Sequence, residues 1–448
     1  MRRMLSLGMA TLGLLALATA SADAGPSLLF DAKTGQVIDS ENPFARWYPA
    51  SLTKLMTTYV AFRAVEAGEV TLQSPVRVSR NAANEPPSKM GYPVGTILTL
   101  DNALKIIMVK SANDIATSIG ESIAGSEEAW AARMNAESQR LGMTGSHWVN
   151  AHGLHHDQQY TTARDLGLLA AALRGEFPEY ASYFSIEGLS FGKQVIASHN
   201  ALIGRFEGAD GMKTGYTCPA GYNLVASATR DGRTLMAIVI GATSVKSRNE
   251  AAAGLLAKGF SQPTAGGLTL AALKPSGAGI DQATNMRDAL CTKAGSTALR
   301  KKERAIAAQR KKEGKPEPAS YLAKREGPRE LVPVSIGTAT GPATPSVAAL
   351  LIQDAAEKAA KAAEEAKKQA AVASGEDPSI PLPDWRPDRP APQGSEPVAI
   401  GDSAGLESET AAPDAETAPD AEAAPDAETT AQDTETTGPD PATIKLDQ

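Results

Sequence analysis

A five-residue acidic unit, Ala-Pro-Asp-Ala-Glu, repeats near the C-terminus of this 448-residue chain, beginning at Ala412, Ala418 and Ala424. The unit has no large apolar side chain, so repeating it cannot bury enough surface to offset the conformational entropy lost on folding. We predict that 375–448, Pro-rich at first and then acidic, is a disordered tail. The globular core must therefore lie upstream.

Two further segments before the tail are poor in apolar residues. Runs such as Arg300-Lys301-Lys302 and Arg310-Lys311-Lys312 indicate a charged extension over 263–345, and 346–374 has the composition of an Ala/Glu/Lys helix. The formal net charge of the whole chain is -7, and most of the surplus acid lies in the tail. This balance argues against a nucleic-acid partner.

The N-terminus has the organisation of a secretory signal. Arg2 and Arg3 precede an apolar run, and small residues follow up to Ala20 or Ala24. We predict that 1–24 is a signal peptide, with an uncleaved anchor as the alternative. The mature protein is then expected in the periplasm or cell envelope. There the cysteines, Cys218 and Cys291, form either one disulfide or two free buried thiols.

The segment 25–262 has the patterns of one α+β domain. A strand pair comes first, a block of helices follows, and then strands around the Asp231-Gly232 turn lead into a closing helix. We predict an antiparallel sheet covered by helices, with an inserted all-helical subdomain. Within it, a helix capped by Thr162 should end at Gly175, and 189–196 alternates as a strand does.

The chemistry begins at Ser51 and Lys54, which lie three residues apart on a predicted helix over about 49–67. A serine hydroxyl is a weak nucleophile at neutral pH and needs an adjacent base. A lysine amine serves as that base only if burial or a nearby cation lowers its pKa. An apolar helix carrying Ser-x-x-Lys can meet both needs.

Three short motifs form the candidate site, and each also occurs elsewhere by chance. They are Ser51-x-x-Lys54, Ser111-x-Asn113 and Lys213-Thr214-Gly215, and the decoys are Ser190-x-x-Lys193, Ser198-x-Asn200, Ser247-x-Asn249 and Lys33-Thr34-Gly35. The first set has a helix, an inter-helix loop and a strand in suitable places. The Ser190 motif lies in a strand-like run, and the Lys33 motif lies in a turn.

In that order, the first set resembles a known family, the low-molecular-mass penicillin-binding proteins that act as serine-type D-alanyl-D-alanine carboxypeptidases. The resemblance covers roughly Ser27 to Phe260. It extends to Asn150-Ala151-His152-Gly153-Leu154, Tyr160 to Asp165, Asp210 to Thr217, and Ala220-Gly221-Tyr222. It implies a β-lactamase/DD-peptidase-like fold.

The resemblance also implies roles for individual residues. Ser51 would attack the carbonyl between two terminal D-alanines, Lys54 would take its proton, and Ser111 would relay a proton to the leaving amine. The remaining residues would bind substrate. Asn113 would bind its backbone amide, Gly215 would leave room for its extended backbone, and its carboxylate would be bound by Lys213, Thr214 and Arg248. The main-chain N–H groups of Ser51 and Tyr216 would bind the oxyanion.

The implied partners are peptidoglycan stem peptides ending in D-Ala-D-Ala, with β-lactams as covalent inhibitors and no cofactor. Histidines 152, 155 and 156 are interpreted as a polar loop, so no metal site is predicted.

His199 stands where relatives often have an arginine, which shifts carboxylate recognition toward Arg248. The C-terminal segments lack the family's amphipathic membrane helix, so membrane association stays open. A β-lactamase, a DD-endopeptidase and a non-catalytic peptidoglycan scaffold are the alternatives.

Overall fold

The computed structural model describes residues 25–263 and 266–374. The predicted signal peptide and acidic tail lie outside these ranges, and the domain boundaries stay a prediction. Within the described ranges, no helix is long and apolar enough to cross a membrane.

The strands are β1 (Ser27–Asp31), β2 (Val37–Glu41), β3 (Pro75–Arg77), β4 (Ile97–Thr99), β5 (Gly188–Phe191), β6 (Gln194–Ala197), β7 (Ala209–Thr217), β8 (Gly221–Arg230), β9 (Arg233–Ala242) and β10 (Leu331–Pro333). The helices are α1 (Thr53–Glu66), α2 (Arg80–Asn84), α3 (Leu100–Val109), α4 (Asn113–Ala124), α5 (Glu127–Arg140), α6 (Ala163–Glu176), α7 (Val245–Phe260), α8 (Arg287–Cys291), α9 (Lys293–Lys312) and α10 (Pro345–Ser374).

The central sheet is antiparallel and has the strand order β2-β1-β9-β8-β7. Because β1 pairs directly with β9, the two ends of 25–262, the predicted catalytic segment, meet in the sheet. The helices between β2 and β7 are therefore an insertion, which confirms the predicted α+β architecture. β7 is the last strand at one side of this sheet, so one of its edges is left for other contacts.

Helices cover both faces of the sheet. On β1, Leu28 and Phe30 enter the core shared with the helical insertion, whereas Leu29 enters the core shared with Leu256 of α7. Successive strand residues point to opposite faces, so this short apolar run fits a strand buried on both sides. The insertion core is the larger and surrounds α1, in which Tyr59 and ten other residues are buried.

Two sequence predictions of local structure are wrong. α6 continues through Gly175 and ends before Phe177, where Pro178 follows. Proline restricts the residue before it, so Pro178 rather than the glycine stops the helix. The predicted strand over 189–196 is instead the hairpin of β5 and β6. Gly192 adopts a φ of +56° at its turn, a left-handed conformation that glycine reaches at little cost.

The two predicted segments after 262, the charged segment and the Ala/Glu/Lys helix, are together called the extension from here on, and they return repeatedly to the domain. Leu268 accepts a hydrogen bond from the Val37 N–H, β10 pairs in parallel with β5, and α10 packs on α4. Helix α9 contributes no buried residue. Cys218 and Cys291 form a disulfide, which settles the alternatives left open by the sequence.

Candidate active site

Ser51 lies in a 3₁₀ turn, Ala50–Leu52, directly before α1. The α-helix thus begins four residues later than the sequence pattern predicts. Ala50 has a φ of +48°, and the Thr53 hydroxyl donates to its carbonyl at 2.8 Å. The Asn223 amide on β8 donates to the Pro49 carbonyl at 3.2 Å. The sheet therefore fixes the turn that presents the Ser51 hydroxyl.

Lys54 is fully buried, and its Nζ lies 3.2 Å from Ser51 Oγ. The same nitrogen donates to Asn113 Oδ1 at 2.8 Å and to the His152 carbonyl at 2.7 Å. Burial lowers the pKa of Lys54 far below its ordinary value, and the charge of Lys213 lowers it further. A neutral amine has two hydrogens, which these two acceptors use, so its lone pair remains for the Ser51 hydroxyl.

Ser111 and Lys213 form the second half of the site. Ser111 lies in the loop between α3 and α4 with a φ of +63°, a conformation that costs a non-glycine residue roughly 1–3 kcal/mol. Lys213 Nζ donates to Ser111 Oγ at 3.0 Å. Burial, and then the charge of Arg248, lower the pKa of Lys213 to about 7. The Ser111 hydroxyl is thus positioned by an ammonium group that titrates near neutrality.

Asn113 begins α4 and connects the two halves. Its Oδ1 accepts from Lys54, and its Nδ2 donates to the Pro86 carbonyl at 2.9 Å. One Nδ2 hydrogen therefore remains for a ligand. The neighbouring Asp114 accepts from the N–H groups of Met90 and Gly91, which holds this loop against α4.

Gly215 lies where β7 passes the Ser51 turn. A Cβ at this position would lie 3.0 Å from the Pro49 carbonyl oxygen and 3.1 Å from the Ser51 nitrogen. The absence of a side chain at Gly215 thus allows β7 to pack closely against the Ser51 turn. The sequence analysis gave a different reason for the glycine, which was the approach of an extended substrate. Thr214 is largely buried, whereas the Tyr216 ring is 42% exposed and stacks on Tyr222.

Arg248 lies in the first turn of α7 and is only 4% exposed. Its Nε donates to Asn249 Oδ1 at 3.0 Å. Burial lowers the pKa of Arg248 to about 10, so the guanidinium keeps its charge at neutral pH. Lys213 and Arg248 together give the site a positive potential suited to a carboxylate.

A cluster of hydrogen-bonded side chains beneath Lys54 was missed by the sequence analysis. His152 Nε2 lies 3.2 Å from Glu85 Oε1 and 3.4 Å from Glu127 Oε1, and the Nδ1 accepts from the Leu154 N–H. Burial lowers the pKa of His152, but the two carboxylates outweigh it and raise the pKa above its ordinary value.

His152 lies in the predicted loop, but its side chain is buried. The ligand atoms of Glu85, Glu127 and His152 lie within 4.8 Å of one another, an arrangement that can hold a cation. The single Nε2 proton is shared between the two carboxylates, and the Thr117 hydroxyl donates to Glu85 at 2.9 Å. The Asn150–Leu154 motif was the available sequence signal for His152, but nothing around Glu85 indicated this role.

The decoy motifs do not assemble a site. Ser190 belongs to β5, and Lys193 follows Gly192 in the turn before β6, where its side chain is exposed. Lys33-Thr34-Gly35 occupies the turn between β1 and β2, where Asp31 accepts from the N–H groups of Lys33 and Thr34. The motif set selected from the sequence is the one that converges.

Comparisons with known proteins agree with this arrangement. The family model for D-alanyl-D-alanine carboxypeptidase, peptidase S11, matches residues 15–244. D-alanyl-D-alanine carboxypeptidase DacC of Escherichia coli is 35% identical over 247 residues, which cover 54% of this chain and 62% of that relative. The chain thus spans less than two thirds of the length of this curated relative.

Solved structures have the same fold. D-alanyl-D-alanine carboxypeptidase DacD from Francisella tularensis is 30% identical with a TM-score of 0.52, covering 53% of this chain and 70% of that one. Penicillin binding protein 6B from Escherichia coli is 34% identical with a TM-score of 0.51, covering 53% of this chain and 77% of that one.

Proposed function

The chain belongs to the peptidase S11 family of D-alanyl-D-alanine carboxypeptidases, and from this premise we propose that it removes the terminal D-alanine from peptidoglycan stem peptides. The observation that carries the proposal is the position of the buried Lys54 amine, 3.2 Å from Ser51 Oγ, with two further acceptors at 2.8 and 2.7 Å. A binding scaffold has no need for such a matched nucleophile and base.

In acylation, Ser51 Oγ attacks the carbonyl carbon between the two D-alanines while its proton passes to Lys54 Nζ. The developing oxyanion would accept from the N–H groups of Ser51 and Tyr216, donors that contribute roughly 3 kcal/mol each in comparable acyl transfers. The C–N bond then breaks, and Ser111, held by Lys213, relays a proton to the leaving amine. The products are free D-alanine and an ester on Ser51.

Substrate would be oriented by its charged end. The terminal carboxylate would lie at Lys213, Thr214 and Arg248, and the peptide backbone would run antiparallel along the edge of β7. Asn113 would donate its remaining Nδ2 hydrogen to the peptide. Lys54, neutral again after the amine leaves, would activate a water that hydrolyses the ester.

β-Lactams would acylate the same serine, since they present an amide carbonyl and a carboxylate in a similar arrangement. The name of the similar penicillin binding protein 6B supports this part of the proposal. The basic and apolar pattern of 1–24 supports export to the periplasm or cell envelope, where the substrate is found.

The test is D-alanine release from a muropeptide pentapeptide by the full chain and by Ser51→Ala. We expect release by the first and none by the second. No release by either protein would contradict the proposal and favour the scaffold alternative. Faster cleavage of a cross-linked dimer than of the pentapeptide would instead identify a DD-endopeptidase acting through the same residues.

A further inference from the structure

Helix α8 lies beside the C-terminal end of β7. The Cys218–Cys291 disulfide joins the two elements, and the Met286 N–H donates to the Pro219 carbonyl at 2.9 Å. The Tyr216 hydroxyl lies 3.5 Å from Cys291 Sγ. The extension is therefore fixed, by a covalent bond and by backbone contact, within two residues of the predicted oxyanion site.

The proposed binding mode determines which part of a substrate meets α8. The terminal carboxylate lies at Lys213 and the scissile carbonyl at Tyr216, so an antiparallel peptide continues upstream toward Thr217 and Cys218. Adjacent residues advance roughly 3.4 Å along a strand. The residue that precedes D-Ala-D-Ala in the stem peptide is thus the one that reaches the disulfide and α8.

Arg287 is the charged group that α8 presents there. Arg287 and Cys291 are four residues apart and share one face of the helix, so the guanidinium lies on the side of the disulfide. The Arg287 side chain is exposed. Among residues 25–263 and 266–374, no carboxylate forms an ion pair with it, so its charge is available to a ligand.

The loop across from α8 carries the opposite charge. His155 packs edge-on against Tyr48, just before the nucleophile turn, with ring centroids 4.6 Å apart. His155 Nε2 lies 3.3 Å from Asp157 Oδ1, and the Asp157 side chain is 89% exposed. Ala283, four residues before Arg287, packs against the cluster that contains Tyr48, so the segment leading into α8 and this loop both contact that cluster. Burial lowers the pKa of His155, and the charge of Arg287 acts in the same direction.

We propose that Arg287 and Asp157 form a subsite for a zwitterionic side chain on the stem-peptide residue that precedes D-Ala-D-Ala. Arg287 binds the side-chain carboxylate of that residue, and Asp157 binds the accompanying ammonium. The preferred substrate class is then peptides with a diamino-dicarboxylic acid, such as meso-diaminopimelate, at this position. Peptides with lysine lack the carboxylate. This inference rests on the proposed function, because it uses the same substrate direction.

The first test compares kcat/KM for two pentapeptides that differ only in having meso-diaminopimelate or L-lysine before D-Ala-D-Ala. A charge-assisted contact at an exposed site predicts a preference of up to roughly fivefold for the first peptide. Arg287→Gln should bring the ratio close to one. Arg304→Gln, which removes an exposed arginine of α9, is the matched control and should keep the wild-type ratio.

The second test separates this inference from the proposed function. Dissociation constants of both peptides are measured by calorimetry on Ser51→Ala and on Ser51→Ala/Arg287→Gln, which need no turnover. A preference that disappears with Arg287 supports the subsite even if D-alanine release fails. Equal affinity for both peptides in Ser51→Ala, or a preference that survives Arg287→Gln, would overturn it whether or not the enzyme releases D-alanine.

Discussion

The catalytic segment and the extension that follows it are held together by different kinds of contact. Around Lys54, the Ser51 hydroxyl, the Asn113 amide and the His152 carbonyl come from three separate parts of the chain and meet at hydrogen-bond distance. In the described ranges, the extension has few buried apolar side chains. They are Leu270, Leu322, Val334 and Val347. It stays in place through backbone hydrogen bonds at edges, ion pairs and one disulfide.

This difference shows which contacts a sequence pattern can reveal. Burial leaves a periodic apolar signal, so the catalytic segment is visible in the sequence. Edge pairing and surface ion pairs leave no such signal, because every residue except proline supplies a backbone N–H and charged side chains are common on surfaces. A segment without an apolar pattern can therefore still be ordered by attachment to a neighbouring domain.

Removing the buried amine should give the largest effect. Lys54→Ala leaves Ser51 without its base, so we expect D-alanine release and acylation by penicillin to fall by roughly 10³-fold, within the usual range for a general base. Lys193→Ala, which removes the lysine of the decoy motif, is the control and should behave as wild type. Comparable losses of D-alanine release in Lys54→Ala and Lys193→Ala would contradict the assignment of the active site to the Ser51 motif rather than the Ser190 motif.

Removing the disulfide should be the strongest perturbation of the extension. Cys218 and Cys291 are 73 residues apart, and the chain-entropy treatment of such a loop gives about 4 kcal/mol. We expect Cys218→Ser/Cys291→Ser to lower the free energy of unfolding in urea by about that amount, with Ser296→Ala as the control. A decrease below about 1 kcal/mol would show that the noncovalent contacts of the extension suffice.

The pH dependence tests the charges of the catalytic segment. As the pH rises through the pKa of Lys213, about 7, the ammonium loses its charge and holds the substrate carboxylate less well. We therefore expect kcat/KM to fall on the alkaline side. Arg248→Ala removes a charge that lowers this pKa, so the alkaline limb should move to higher pH although kcat/KM itself decreases. Arg248→Lys should leave the limb in place, and identical limbs in all three proteins would contradict the assignment.

The smallest expected effect concerns the ion pair that joins α10 to β3. Arg77 binds both carboxylate oxygens of Asp354 at 2.7 Å, and their side chains are 11% and 36% exposed. Partly exposed pairs contribute up to about 1 kcal/mol, so Asp354→Asn should lower the free energy of unfolding by roughly 0.5–1 kcal/mol. Glu364→Gln breaks a more exposed pair within α10 and should change it by less than about 0.5 kcal/mol. If Asp354→Asn and Glu364→Gln changed the free energy of unfolding equally, the packing of α10 against the domain would not strengthen the Arg77–Asp354 pair.

Much of the fold and the site could be predicted because their signals are local. The spacing of Ser51 and Lys54 places them one turn apart, and alternation and turn residues indicated the strands that carry Lys213. The partners of His152 could not be predicted, because Glu85 and Glu127 reach it only after α2 and α5 have each packed against α4. Asn223 was missed for the same reason, since it resembles any polar strand residue until the Ser51 turn lies above it.

The most direct test of the account is the site of covalent modification by a penicillin. The full chain is incubated with benzylpenicillin, digested and analysed by mass spectrometry, with Ser51→Ala and Ser111→Ala alongside. We expect one adduct, on the peptide containing Ser51, in the wild-type protein and, more slowly formed, in Ser111→Ala, and none in Ser51→Ala. An adduct that persists in Ser51→Ala, or a wild-type protein that stays unmodified, would contradict the assignment of Ser51 as the nucleophile.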